Sequence, residues 1–348
     1  MIKEIELFKM DKNHYYHHNE SFALETGSEI KNLRIAYQHW GKLNEKYDNV
    51  IWVCHAYTAN AEASDWWPGM IGPGLLLDTD KYFVICANVV GSCYGSTGPL
   101  DINPETAKPW LKDFPKITVR DLVNAHETLR KHLNINSIYM IIGGSIGAFQ
   151  ALEWTIMFPE IIQNLVFIAS SAAASPWNIA QNEAQRLAIK ADPSYFGNDP
   201  KGGLNGLKAA RAMALISYRN AETYNSTQKD ADVGLSGDYK AISYQQYQGE
   251  KLVKRYNAYS YVCMSHLFDS HHIGRNRASV ENVLSTIKAK TLVIALDTDQ
   301  LFPPEEQKFV ASHIPAAQFE CIKTSLAHDG FLIESEQITK AVRQFLFK

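Results

Sequence analysis

The chain has 348 residues, 46% of them hydrophobic and 20% charged, with a formal net charge of −3. That balance fits a water-soluble globular protein with a sizeable core, and it lacks the basic surplus that binding nucleic acid demands. The five cysteines (Cys54, Cys86, Cys93, Cys263, Cys321) are odd in number, widely spaced and free of C-x-x-C pairs, which argues against a disulfide framework or a zinc site.

The first ten residues, MIKEIELFKM, contain no long apolar run, so no signal peptide is expected. No segment reaches the roughly 18 to 20 apolar residues of a membrane helix. Together with the cysteine usage, this makes a cytoplasmic protein the expectation.

Short apolar runs then recur in chain order: NVIWVCH at 49–55, YFVICANV at 82–89, SIYMIIG at 137–143, NLVFIA at 164–169 and TLVIAL at 291–296. They are nearly continuous rather than alternating, as strands of a parallel sheet covered on both faces must be. Helical patterns lie between them. VRDLVNAHETLRKHL at 119–133 puts Leu122, Ala125, Leu129 and Leu133 on one face, and IGAFQALEWTIMF at 146–158 follows the third run. Strand, helix, strand predicts an α/β fold with a mostly parallel central sheet.

After about residue 171 the rhythm breaks. Helical texture replaces strand texture, with candidate helices in NIAQNEAQRLAIKA, GLNGLKAARAMALISY and QQYQGEKLVKRYNAYSYVCMSHLF. The expected organisation is one sheet domain, 1–171 and 287–348, interrupted by a helical insertion at 172–286. NPETAKPWLKDFP at 103–115 and KDADVGLSGD at 229–238 read as surface loops.

The third run ends in Gly143-Gly144-Ser145-Ile146-Gly147, a G-x-S-x-G between a buried strand and a helix. This is the sequence context of a nucleophile elbow, in which glycines admit a turn too sharp for a Cβ and the serine is carried at its apex. A glycine-rich turn without chemistry is the bland alternative, and a phosphate loop is disfavoured because neither Gly-Lys-Ser/Thr nor a full G-x-G-x-x-G is present. A serine hydroxyl becomes a nucleophile only when a base takes its proton and a carboxylate orients that base. On such sheets the acid and then the histidine follow the serine along the chain. Asp297 and Asp299 lie just beyond the TLVIAL strand, and His328 lies in a loop after a further strand-like stretch, ahead of a final helix. Two backbone amides would hold the oxyanion: Ile146, which follows the nucleophile, and Tyr57, at the end of the first apolar run. The Tyr57 side chain is then free to shape the pocket.

Several ordered stretches carry a more specific signal: IAYQHWGKLN at 35–44, VCHAYTAN at 53–60, WWPGMIGPGLLLDTDKYFVICANVVGSCYGSTGP at 66–99, ITVRDLV at 117–123, GGSIGAFQALEW at 143–154, DQLFPPEEQ and HDGFL. Taken together they resemble the homoserine O-acyltransferase family, most closely its acetyltransferases. The resemblance implies an α/β-hydrolase fold with a helical lid, and transfer of an acyl group from acyl-CoA to an amino-acid hydroxyl in methionine biosynthesis. It implies no bound cofactor beyond acyl-CoA as co-substrate, and no metal. The family's motifs fall on Ser145 as nucleophile, Asp299 as acid and His328 as base. Arg211 and Tyr218 match its substrate-contacting pair, and Asp329 its amine-contacting aspartate. A planar guanidinium for a carboxylate and a carboxylate for an ammonium suit the zwitterion homoserine. The resemblance also implies a homodimer formed through the lid.

Departures from the family pattern sit around the serine. Ile146 replaces a usual Met, Ala148-Phe149 a usual Gly-Met, and HAYTAN a usual H-A-L-T-G; Ser92 is a further difference. Tyr57, Asn60 and Ile146 therefore become the expected determinants of the acyl group, with acetyl the family default and succinyl, or serine as acceptor, the alternatives. A serine esterase and a non-catalytic binding protein of the same fold are the competing readings. His271-His272 and Tyr15-Tyr16-His17-His18 read as solvated. The lid tyrosines Tyr244, Tyr247, Tyr256, Tyr259 and Tyr261 read as packing or subunit interface, and Phe149 as packing.

Overall fold

The structure, a computed structural model, describes residues 12–231, 237 and 239–347. The opening MIKEIELFKM and most of the tip of the 229–238 loop therefore lie outside the described residues.

Eight strands form one sheet: β1 (His14–His17), β2 (Arg34–Trp40), β3 (Val50–Cys54), β4 (Phe83–Ala87), β5 (Ile138–Gly144), β6 (Ile162–Ile168), β7 (Lys290–Leu296) and β8 (Gln318–Ile322). Their order is β1-β2-β4-β3-β5-β6-β7-β8. β1 and β2 pair antiparallel at one edge, and every pairing from β4 to β8 is parallel. All five predicted apolar runs are strands, and β3 and β4 are buried at every position. Two apolar clusters cover the two faces, one around Trp52, Phe149 and Phe167, the other around Ile142, Val166 and Phe345. Burial on both faces is the reason these strands read as unbroken apolar runs.

Helices α1 (Val119–His132) and α2 (Ile146–Met157) pack together beside the centre of the sheet. α1 starts where Thr118 and Asp121 cap each other reciprocally, and it buries Leu122, Ala125 and Leu129 as its periodicity predicts. Between β6 and β7 come α3 (Pro176–Lys190), α4 (Leu204–Tyr218), α5 (Ala221–Thr227), α6 (Lys240–Val253) and α7 (Ala258–Asp269). α3 opens with the Ser175/Asn178 capping box and a proline in its first turn. α4 packs on α3 and α6. α8 (Pro304–His313) and α9 (Ser335–Leu346) complete the sheet domain.

The sequence pattern misleads in two places here. The stretch 245–268 is two helices, because Asn257 caps α7 by accepting the Ser260 amide, and the break at 254–257 lets Arg255 reach back to the Thr58 carbonyl and the Tyr94 hydroxyl. His271 is not solvated. It is 2% exposed, stacked on Phe149 at 3.8 Å, and bonded through Nε2 to the Ser171 carbonyl, whereas His272 is exposed. Phe149 is a packing residue, meeting Phe268 and Phe302 edge to face.

Candidate active site

Ser145 stands between β5 and α2 with φ 57° and ψ −128°, a conformation that costs a non-glycine residue on the order of 1 to 3 kcal/mol. Surrounding bonds hold it there. Its amide donates to the Ile168 carbonyl at 3.1 Å, and its own carbonyl accepts from Ser170 Oγ at 2.8 Å. The glycines are demanded by crowding: a Cβ at Gly143 would lie 2.5 Å from the Gly147 carbonyl carbon, and one at Gly147 would overlap the Cys54 carbonyl oxygen at the end of β3. α2 and β3 thus approach more closely than any side chain allows.

Asp299 and His328 come from the loops after β7 and β8. His328 Nδ1 lies 2.7 Å from Asp299 Oδ2, while Asp299 Oδ1 accepts the Leu301 and Phe302 amides at 2.8 and 3.0 Å. Both residues are 4% exposed. The carboxylate is therefore fixed by three donors, and the imidazole is held in the tautomer that leaves Nε2 to face a reacting group. Asp297 is used elsewhere, accepting the Thr324 amide at 2.9 Å. The amides of Tyr57 and Ile146 donate no hydrogen bond among the described residues. Ile146 opens α2, where unpaired N–H groups belong to the helix geometry.

A cavity of about 20 Å³ opens at Ser145, room for about one water molecule. Its walls include Tyr57, Gln181, Gln185, Tyr218, Phe268 and Leu301, and among the described residues no lysine or arginine lines it. The Tyr57 side chain is not free: its hydroxyl donates to the Tyr261 carbonyl at 2.7 Å, fastening the loop after β3 to α7. Burial pushes that phenol well above its ordinary range, so it stays a donor. Asn60 does not line the cavity; its side chain accepts the Glu62 amide at 2.9 Å and shapes the turn. Gln185 accepts from the Tyr261 hydroxyl at 2.6 Å, whereas Gln181 Nε2 is buried without a partner among the described residues. Nothing in the sequence separates these α3 glutamines from surface polar residues.

Tyr218 brackets the base, its ring 5.8 Å from that of His328. The Arg211 guanidinium lies 5.6 Å from the Tyr218 ring centroid and forms no ion pair among the described residues. Asp329, directly after His328, is paired with Arg219 at 2.6 Å. Sequence reasoning missed Arg219, whose partner is remote along the chain. A larger open groove of about 650 Å³ lies beyond Asp299, rimmed by Trp177, Glu305 and Glu306. Burial, and then the charge of Asp299, push the Glu306 carboxyl up to about 7.

A strained serine at the C-terminal end of a central parallel strand, with an acid and a histidine from later loops, defines the class as an α/β-hydrolase. A family model described as "alpha/beta hydrolase fold" matches residues 49–332. Over 326 residues the chain is 43% identical to a homoserine O-acetyltransferase of Cyclobacterium marinum, covering 94% of this chain and 93% of that one. A crystal structure of homoserine O-acetyltransferase from Bacillus anthracis superposes with TM-score 0.90 at 23% identity, covering 97% and 98% of the two chains. That of esterase E22 superposes with TM-score 0.89 at 24% identity over 96% and 99%. The last two show a fold that serves transferase and esterase alike. The sequence relationship decides, and the chain belongs to the homoserine O-acetyltransferase family.

Proposed function

We propose that the chain transfers an acetyl group from acetyl-CoA to the hydroxyl of L-homoserine by way of an acyl-enzyme on Ser145. The observation that carries this reading is the buried Asp299–His328 pair, its carboxylate fixed by the Leu301 and Phe302 amides and its imidazole 5.8 Å from the ring of Tyr218, which lines the cavity at the strained serine. Ser145 Oγ attacks the thioester carbonyl as its proton passes to His328 Nε2. The oxyanion is met by the Tyr57 and Ile146 amides. The C–S bond breaks, and the thiolate leaves with the proton from the imidazolium. The homoserine hydroxyl then gives its proton to Nε2 and attacks the ester, and the proton returns to Ser145 Oγ as the new ester departs. Asp299 stabilises the imidazolium in both halves.

The unpaired Arg211 guanidinium and the Asp329 carboxylate supply opposite charges for the carboxylate and ammonium of the acceptor. An acetyl donor is favoured over succinyl by the cavity wall. Among the described residues no lysine or arginine lines the cavity to meet a succinyl carboxylate, and only neutral donors such as the Gln181 amide are there to receive one.

Homodimerisation through the lid is supported by exposed apolar side chains on its outer helices, Met213 and Ile216 on α4 and Ile242 and Tyr247 on α6. Among the described residues no helix is long and apolar enough to cross a membrane. A cytoplasmic place in methionine biosynthesis accords with the family.

The test is thiol release from acetyl-CoA or succinyl-CoA with and without homoserine. Release that requires homoserine, prefers acetyl-CoA and vanishes in Ser145→Ala supports the reading. Equal release without an amino acid would make the protein a hydrolase, and reaction with aryl esters alone would make it an esterase.

A further inference from the structure

We propose that Arg219 is a positioning residue for the acceptor: its guanidinium holds one oxygen of Asp329, so that the other is presented to the ammonium group of an amino-acid substrate. The proposal rests on the acyl-transfer reading of the site.

Both partners occupy the right places. Arg219 directly follows Tyr218, which lines the cavity, and Asp329 directly follows His328. The contact is a single bond, Arg219 Nε to Asp329 Oδ2 at 2.6 Å, rather than the two-point fork that would occupy both oxygens. Oδ1 receives no bond among the described residues. The guanidinium thus uses the arginine's less common one-point mode and leaves the carboxylate half open.

The bond is not needed to hold the loop. Asn220 Nδ2 donates to the Ser325 carbonyl at 3.0 Å, Thr223 Oγ1 donates to the same carbonyl, and the Ala327 amide is tied to Thr298 Oγ1 at 3.2 Å. With the backbone anchored by neutral groups on both sides, the Arg219 contact reaches only the carboxylate. Its role is to fix a rotamer and a charge. It also offsets the charge of Asp329, which is only 19% exposed and has no other counter-ion among the described residues.

Arg211 and Arg219 then divide the work. Arg211 has no ion pair among the described residues and is open to an incoming carboxylate, whereas Arg219 is committed to Asp329 and acts on the substrate through it. An acyl donor, which brings no ammonium group, gains nothing from this arrangement. Arg219 should therefore matter to the second half-reaction and not to the first.

The experiment compares Arg219→Gln and Arg219→Lys with the unaltered protein. Homoserine saturation is measured at saturating acetyl-CoA, and acylation separately as the burst with an aryl acetate. In Arg219→Gln the KM for homoserine should rise about tenfold or more, the scale of one misaligned charge-assisted hydrogen bond, while kcat and the burst stay within about twofold. Arg219→Lys should recover part of the loss. A KM that is unchanged or lower would overturn the proposal, the lower value meaning that Arg219 competes with the ammonium. A burst that falls in step with transfer would also overturn it, leaving Arg219 a structural residue. If the unaltered protein shows a full burst but no homoserine-dependent thiol release, the transferase reading itself fails, a signature distinct from the other two.

Discussion

Replacing Asp299 by Asn tests the geometry around His328 most sharply. The Oδ1 side of the carboxylate is anchored by two backbone amides at 2.8 and 3.0 Å, so an Asn must direct its carbonyl oxygen there. Its NH₂ then occupies the place of Oδ2, 2.7 Å from His328 Nδ1. Two donors cannot face each other, so the imidazole moves its proton to Nε2 and presents a lone pair to the amide. Nε2–H can no longer accept from Ser145. The expected loss in acylation is about 1,000- to 10,000-fold, or about 4 to 5.5 kcal/mol of transition-state stabilisation. The fold should persist, because the substitution keeps shape and both backbone bonds and forfeits one charge-assisted bond, about 1 to 3 kcal/mol of stability. The assay is the aryl-acetate burst together with thiol release from acetyl-CoA, with Asp297→Asn as control, since Asp297 faces the Thr324 amide instead. Asp299→Asn activity within tenfold of the unaltered protein, or an equal loss in Asp297→Asn, would refute the assignment.

Ser145→Gly should abolish transfer yet raise stability by about 1 kcal/mol, seen as a higher urea midpoint, because glycine adopts φ 57° and ψ −128° without the strain a serine bears. Gly147→Ala should lower the melting temperature and acylation together, since its Cβ would come within 2.8 Å of the Cys54 carbonyl carbon and force α2 from β3; the cost is at least the roughly 1 to 3 kcal/mol of core overpacking. Tyr57→Phe should cost about 0.5 to 1.5 kcal/mol in chemical denaturation by removing the hydroxyl's bond to the Tyr261 carbonyl, which keeps its partner within α7. Burial pushes His55 down to about 4 and His126 and His271 down to about 3. The unfolded chain binds protons at these sites from about pH 6.5 downward while the folded one does not, so their contribution is complete above that pH and falls through the window from about 6.5 to 3. Urea titrations at pH 5 and pH 7.5 would show it; equal stability at the two would contradict the burial.

How much of this the sequence discloses depends on whether a residue's partners lie near it in the pattern. β3 to β7 were legible because both their faces are covered, and the elbow was legible because three glycines and a serine in five residues have few other uses there. β1, HYYH, forms the sheet edge and has no buried position, whereas β2, RIAYQHW, buries Ile35 to Gln38 but is hidden in the sequence by its polar Arg34, Gln38 and His39. The solvated reading of His271 failed because only the folded chain sets it against Phe149. Asn60 next to Tyr57 read as pocket wall, while its amide serves the turn. Arg219 carries no signature, because a charge beside a motif looks the same whether it meets water or a carboxylate from another domain segment.

The insertion of α3 to α7 between β6 and β7 has a consequence in time as well as space. A ribosome makes Ser145 and its glycines early, and His328 only after the lid and three further strands have emerged. At ordinary elongation rates that interval is roughly ten to forty seconds. During it the nascent chain carries an unactivated serine, chemically no more dangerous to cellular thioesters than any other. Circular permutation that moved β7 and β8 ahead of the lid would remove that delay, arming the nucleophile before the helices that wall its cavity had been made.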